Sequence, residues 1–131
     1  MNILDENLLE SQRQLLRSWR IPVHQIGIEL GHQGMRDEEI VPLLHQLHHP
    51  AFFTRDFGFY THRLCHAGYC IVYLAVGQYE AASFIRRFLR HRTFNTRAKR
   101  TGAVIRVSPI GLRVWHLYAD KEEKVEWGVN S

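Results

Sequence analysis

Residues 69–76 read Tyr69-Cys70-Ile71-Val72-Tyr73-Leu74-Ala75-Val76, the longest apolar run in the chain. At eight residues it is too short for a membrane span, which needs about twenty. Its β-branched and aromatic content suits a strand buried on both faces. Such a strand needs cover above and below, and helices supply that cover in α/β proteins. The chain is 131 residues long, 45% apolar and 11% aromatic, enough for one domain with a sizeable core and too apolar for a disordered chain.

The flanking sequence alternates in the same sense. Residues 2–4 form a short apolar stretch ending at Asp5. Asn7-Leu8-Leu9-Glu10 reads as a capping box opening a helix, with Leu8, Leu9, Leu15, Leu16 and Trp19 on one face and Pro22 as its stop. Residues 23–28 read as a second strand, followed by a loop through Gly31 and Gly34. Ile40, Leu44 and Leu47 recur at helical spacing, and Pro42, tolerated only in a first turn, puts the start or a bend near Glu39. Residues 51–54 read as a short strand running into Asp56. Ala81, Ile85, Phe88 and Leu89 form a helical stripe with Arg86, Arg87 and Arg90 on the far side. Residues 103–107 and 112–117 flank Ser108-Pro109-Ile110-Gly111 as a terminal hairpin. The pattern predicts a mainly parallel sheet with helices on both faces. Asp5 and Asp56 follow strands, at the carboxyl end where such sheets build their sites.

The net charge of +4 hides an asymmetry. Residues 1–80 carry nine acids and six bases, residues 81–119 carry nine bases and no acid, and the last twelve residues return to −2. A one-sign block of that size creates a local field whatever the fold. Asp5, Glu6 and Glu10 precede the first base, Arg13, unlike a signal or transit peptide. Two cysteines, Cys65 and Cys70, build no disulfide framework and fit a reducing compartment. The expectation is a cytoplasmic protein with no membrane partner.

Asp5 with Glu6, Asp37, Glu39 and Asp56 are the acids placed for chemistry. Carboxylates converging at strand ends repel one another unless a cation neutralises them, and hard ions such as Mg2+ or Mn2+ bind oxygen clusters of this kind. An ion held so can activate water and stabilise charge on a phosphodiester. The same residues also fit a plainer reading. Asp37 and Glu39 favour a helix N-terminus, and Asp5 and Asp56 fit solvated loops.

Leu4-Asp5-Glu6-Asn7 after the first strand, Gly34 followed by Asp37-Glu38-Glu39-Ile40, and Phe53-Thr54-Arg55-Asp56 resemble, in order, the three signatures of small bacterial PIN-like proteins. That family is similar to the VapC-type toxin ribonucleases of toxin–antitoxin pairs. The resemblance covers residues 1–117, leaving 118–131 as a C-terminal tail. It implies a PIN-like three-layer α/β/α sandwich with a mainly parallel central sheet and a C-terminal β-hairpin. It implies metal-dependent cleavage of RNA by Asp5, Asp37, Glu39 and Asp56, with Asp5, Glu39 and Asp56 on Mg2+ or Mn2+. Glu6 and Thr54 would support them, Thr54 by orienting a carboxylate through its hydroxyl. RNA, a small antitoxin protein and a second copy in a homodimer are the partners implied. One departure stands out: Gly58 occupies the place where the pattern often has a second aspartate. It removes a metal ligand or supporting acid, and favours the alternative of a PIN-like module that binds RNA or a protein and cleaves little.

Arg86, Arg87, Arg90, Arg92, Arg97, Lys99 and Arg100 put seven charges in fifteen residues. Arginine suits phosphate through its fixed donor fork. Arg86, Arg87 and Arg90 are the candidate RNA contacts, with an acidic antitoxin segment as the other occupant and a solvated helix face as the plain reading. Phe84 and Phe88 share the apolar stripe and read as core. Nine histidines show no zinc spacing and read as surface or capping residues. Cys70 reads as a packed thiol. A phosphoacceptor receiver would also place acids at positions 5, 6 and 56. It requires Ser or Thr after the fourth strand and Lys after the fifth, where Ala75-Val76 and Val107-Ser108 stand.

Overall fold

The computed structural model describes residues 1–128. Seven strands form one sheet: β1 (Asn2–Leu4), β2 (His24–Gln25), β3 (Ala51–Thr54), β4 (Cys70–Leu74), β5 (Ala103–Ser108), β6 (Gly111–His116) and β7 (Glu123–Val125). Four helices accompany them: α1 (Glu10–Ser18), α2 (Asp37–His45), α3 (Ala81–Arg90) and the single turn α4 (Arg97–Arg100). The sheet order is β2-β1-β3-β4-β5-β6-β7. The first five strands run parallel, and β6 and β7 add antiparallel at the far edge. The chain is therefore α/β, with a mostly parallel mixed sheet and a hairpin between β5 and β6. No helix among the described residues is long and apolar enough to cross a membrane.

Strand alternation divides the core in two. Leu4, Phe53, Val72 and Ile105 point to one face, where Leu16 of α1 and Ile85 and Phe88 of α3 pack on them. Ile3, Phe52, Ile71 and Val104 point to the other, where they meet Ile40 and Leu44 of α2 and Phe59. All of β3 is buried, and β4 is buried except for the half-exposed Tyr73, as the apolar run of residues 69–76 requires.

Four local expectations are corrected. The Asn7 capping box does not form: α1 starts after Leu9 without a side-chain cap, and Glu10 instead accepts from Arg13 and Gln14. Nor does Pro22 end that helix. Arg20 adopts φ +62°, and the Arg20 and Ile21 N–H groups donate to the Arg17 and Leu16 carbonyls in a left-handed cap. The second strand is His24–Gln25 alone, because the chain turns at Gly27 with φ +88°. That conformation favours glycine, and a Cβ there would also displace Glu6 Oε2, 2.6 Å away. Finally, α2 begins at Asp37 and carries Pro42 in its interior. Proline there leaves the Glu38 carbonyl without its helical donor.

Residues 118–131 are more than a tail as far as they are described. They supply β7, which pairs with β6, and Trp127, whose indole donates to the Ser108 carbonyl from within the core (2.7 Å).

Candidate active site

β1 lies between β2 and β3, so the chain leaves it toward opposite edges. That is the topological switch point where open α/β sheets form a crevice beyond their carboxyl ends. Asp5 continues the β1–β3 ladder by one residue, its N–H bonding the Phe53 carbonyl (2.9 Å). Thr54 ends β3 beside it, and its hydroxyl donates to Asp5 Oδ2 at 2.6 Å. The same hydroxyl accepts from the Asp56 N–H (3.0 Å). Asp56 then caps the 3-10 turn Phe57–Phe59 by accepting from the Gly58 N–H (2.8 Å). One threonine thus ties the Asp5 carboxylate and the Asp56 backbone to the strand end.

Asp37, the first residue of α2, completes the group. Its carboxyl is pushed above the usual range by burial first, then by the charge of Asp56 and a hydrogen bond with it, and by the charge of Asp5. Asp5 is raised too, by burial first and then by the charges of Asp56 and Glu6; the Thr54 and Glu6 hydrogen bonds oppose this without cancelling it. Asp5, Arg55 and Asp56 line a cleft of about 240 Å³. Asp37, Gly58 and Arg63 line another of about 470 Å³.

Glu39 does not join them. Its carboxylate accepts the Arg36 backbone and side-chain N–H groups (both 3.2 Å) and meets His32 Nε2 (3.1 Å). Those contacts, the Arg36 backbone bond foremost, hold it below the usual carboxylate range. The expected catalytic and metal-ligating Glu39 is a helix-capping residue. Glu6 turns away as well, taking the Gly34 N–H on both carboxylate oxygens (3.0 Å each). It secures the loop that delivers Asp37 three residues later.

The sequence reading missed Gln25. Buried at 3% exposure, its amide Nε2 donates to the carbonyls of Asp5, Glu6 and Leu8 (3.1, 3.3 and 2.9 Å). It fixes the loop that carries Asp5. The one available signal was a polar amide amid the apolar residues 23–28.

The donors here are carboxylate oxygens, the set suited to Mg2+ or Mn2+. Among the described residues, no three or more His, Cys, Asp and Glu side chains form a group that could hold a metal ion by themselves. A pair of carboxylates still matches the way Mg2+ is commonly held, with waters and substrate oxygens completing its shell.

The candidate RNA arginines lie on the opposite side, on α3. Arg86 and Arg87 are half-buried rather than solvent-directed. The Arg86 guanidinium stacks 3.6 Å over Trp19, and Arg87 lies 4.2 Å over Trp127. Of the three, Arg90 alone is exposed. No protein-family model matches this chain, and no curated protein or solved structure does.

Proposed function

We propose that this chain is a metal-dependent ribonuclease of PIN-like type, with a three-layer α/β/α sandwich fold, that hydrolyses RNA phosphodiesters at the crevice above β1 and β3. One observation carries the reading: Asp5, Asp37 and Asp56, from three separate segments, meet at the end of β1 and β3, where burial first and then their mutual charge raise the proton affinities of Asp5 and Asp37. Groups that repel one another in this way favour a cation between them. Asp37 and Asp56, with Asp5 beside them, would hold Mg2+ or Mn2+. When bound, that ion would supply an activated water and neutralise phosphate charge. The chain's own residues do the positioning. Thr54 fixes Asp5, the Gly58 N–H fixes Asp56, and Gln25 and Glu6 hold the two loops that present Asp5 and Asp37. A role as the toxin of a toxin–antitoxin pair, held by an acidic antitoxin, extends the same reading.

The test is cleavage of a labelled single-stranded RNA with Mn2+ or with chelator, alongside calorimetric titration of Mn2+. Wild type should cut only with metal. Asp5→Asn and Asp56→Asn should each lose more than about 100-fold, beyond the usual cost of perturbing a metal's outer partners. Neither Mn2+ binding nor cleavage by wild type would refute the proposal. RNA bound but left uncut would support the weakly cleaving module. Gly58 and the lack of a self-sufficient three-ligand group favour that second reading.

A further inference from the structure

We infer that the substrate strand runs from the crevice along the α2 face of the sheet, where Phe57 and Tyr73 stack one of its bases and Arg106 and Arg113 hold its backbone. The inference rests on the ribonuclease reading and specifies its substrate as single-stranded. Strand register carries it. Thr54 pairs with Tyr73, Tyr73 with Arg106, Arg106 with Arg113 and Arg113 with Lys124. Thr54, Tyr73, Arg106 and Arg113 are each two residues from a side chain packed in the α2-face core (Phe52, Ile71, Val104 and Trp115), so these four point to that face. The row begins at the hydroxyl that binds Asp5. From Thr54 to Arg113 is three strand spacings, about 14 Å.

Among the described residues, that face's core is covered by α2, through Ile40 and Leu44, and by the segment after β3, through Phe59, Tyr60, Leu64 and Cys65. Thr54 is fully buried, whereas Tyr73, Arg106 and Arg113 keep partial exposure. Phe57, next to Asp56, is 65% exposed. Its ring meets Tyr73 edge-on at 5.5 Å and 75°, which leaves a face to solvent. Tyr60 backs Tyr73 at 6.2 Å and is fixed by its hydroxyl bond to Glu122 (2.6 Å). Glu122 also pairs with Arg113 (2.9 Å), so it is the acid against which a phosphate would compete. Arg106 enters none of the ion pairs among the described residues. Aromatic faces beside half-exposed arginines on a sheet are the elements of single-strand binding, where stacking tolerates any base. The α3 arginines face the other side and are partly occupied by Trp19 and Trp127.

The experiment measures binding of a fluorescent oligouridylate at several salt concentrations, using the Asp5→Asn chain to prevent cleavage. Adding Phe57→Ala should weaken binding about tenfold and leave the salt slope unchanged. Adding Arg106→Gln should weaken binding and flatten the log–log slope by roughly 0.7. An oligonucleotide with abasic sites should bind the parent about tenfold more weakly, and Phe57→Ala should no longer distinguish it from the intact strand. Wild-type affinity in both variants overturns the inference. So does failure of the parent to bind RNA, or loss confined to Arg90→Gln. Cleavage by wild type with no effect of Phe57→Ala on binding sinks the track alone. Track-dependent binding with no cleavage sinks the nuclease reading alone.

Discussion

Asp37 and Glu39 stand two residues apart on the first turn of α2, and their protons meet opposite fates. Glu39 faces Arg36 and His32, which favour its charge; Asp37 is opposed first by burial and then by Asp56 and Asp5. The sequence made both candidates, because spacing gives the turn and not the neighbours each side chain meets. A carboxyl whose folded pKa is raised binds its proton more tightly folded than unfolded. Asp5 and Asp37 therefore destabilise the metal-free protein as pH rises from the usual 3.8 through their raised folded values. Denaturant unfolding in chelator should show stability falling across that window. Asp37→Asn should reduce the fall and raise the melting temperature at neutral pH. Saturating Mn2+ should also stabilise wild type, by about 2.7 kcal/mol at a hundred times its Kd. If Asp37→Asn leaves the pH slope unchanged, the carboxylates do not interact as described.

Elements were legible where periodicity set them and obscure where a distant segment did. The strand Ala51–Thr54 and the amphipathic α3 follow from the sequence pattern, whereas the Thr54 hydroxyl beside a carboxylate is implied by the family resemblance alone. The orientation of Arg86 and Arg87 follows from neither, because Trp19 and Trp127 reach α3 from the end of α1 and from beyond β7. An arginine with no carboxylate nearby lowers its free energy by covering an aromatic face. The end of α1 carries a prediction of its own. Arg20 holds φ +62°, where a side chain costs about 1–2 kcal/mol and glycine pays nothing. Glycine's looser unfolded state returns part of that difference. Arg20→Gly should therefore stabilise the protein by about 0.5–1 kcal/mol, read as a higher denaturant midpoint with an unchanged m-value. A lower midpoint would mean that the Arg20 side chain contributes more than its backbone strain costs.

At the scale of the whole molecule, the mainly parallel sheet and the hairpin were legible, and the role of the chain's end was not. Residues 118–131 carry an acidic excess and no long apolar run, so they read as a tail. Yet β7 extends the sheet, and Trp127 enters the core on the α1–α3 face at 8% exposure. A single tryptophan gives no periodicity to read, but it brings more apolar area than any other side chain. Trp127 packs 5.9 Å from Phe84 and from His91, its indole bonds the Ser108 carbonyl, and His91 Nε2 in turn meets the Glu126 carbonyl at 2.7 Å. This latch ties Glu126 and Trp127 to α3 and to the β5–β6 turn at once. Trp127→Ala should cost about 3–5 kcal/mol, as buried aromatic truncations do, a large share of the 5–15 kcal/mol typical of a domain. Trp127→Phe keeps most of the packing and loses the indole hydrogen bond, so it should cost more nearly 1 kcal/mol. Urea unfolding followed by far-ultraviolet circular dichroism, which does not depend on the removed fluorophore, measures both. A loss within about 0.5 kcal/mol for Trp127→Ala, the range of an ordinary surface substitution, would return the segment to the status of a tail.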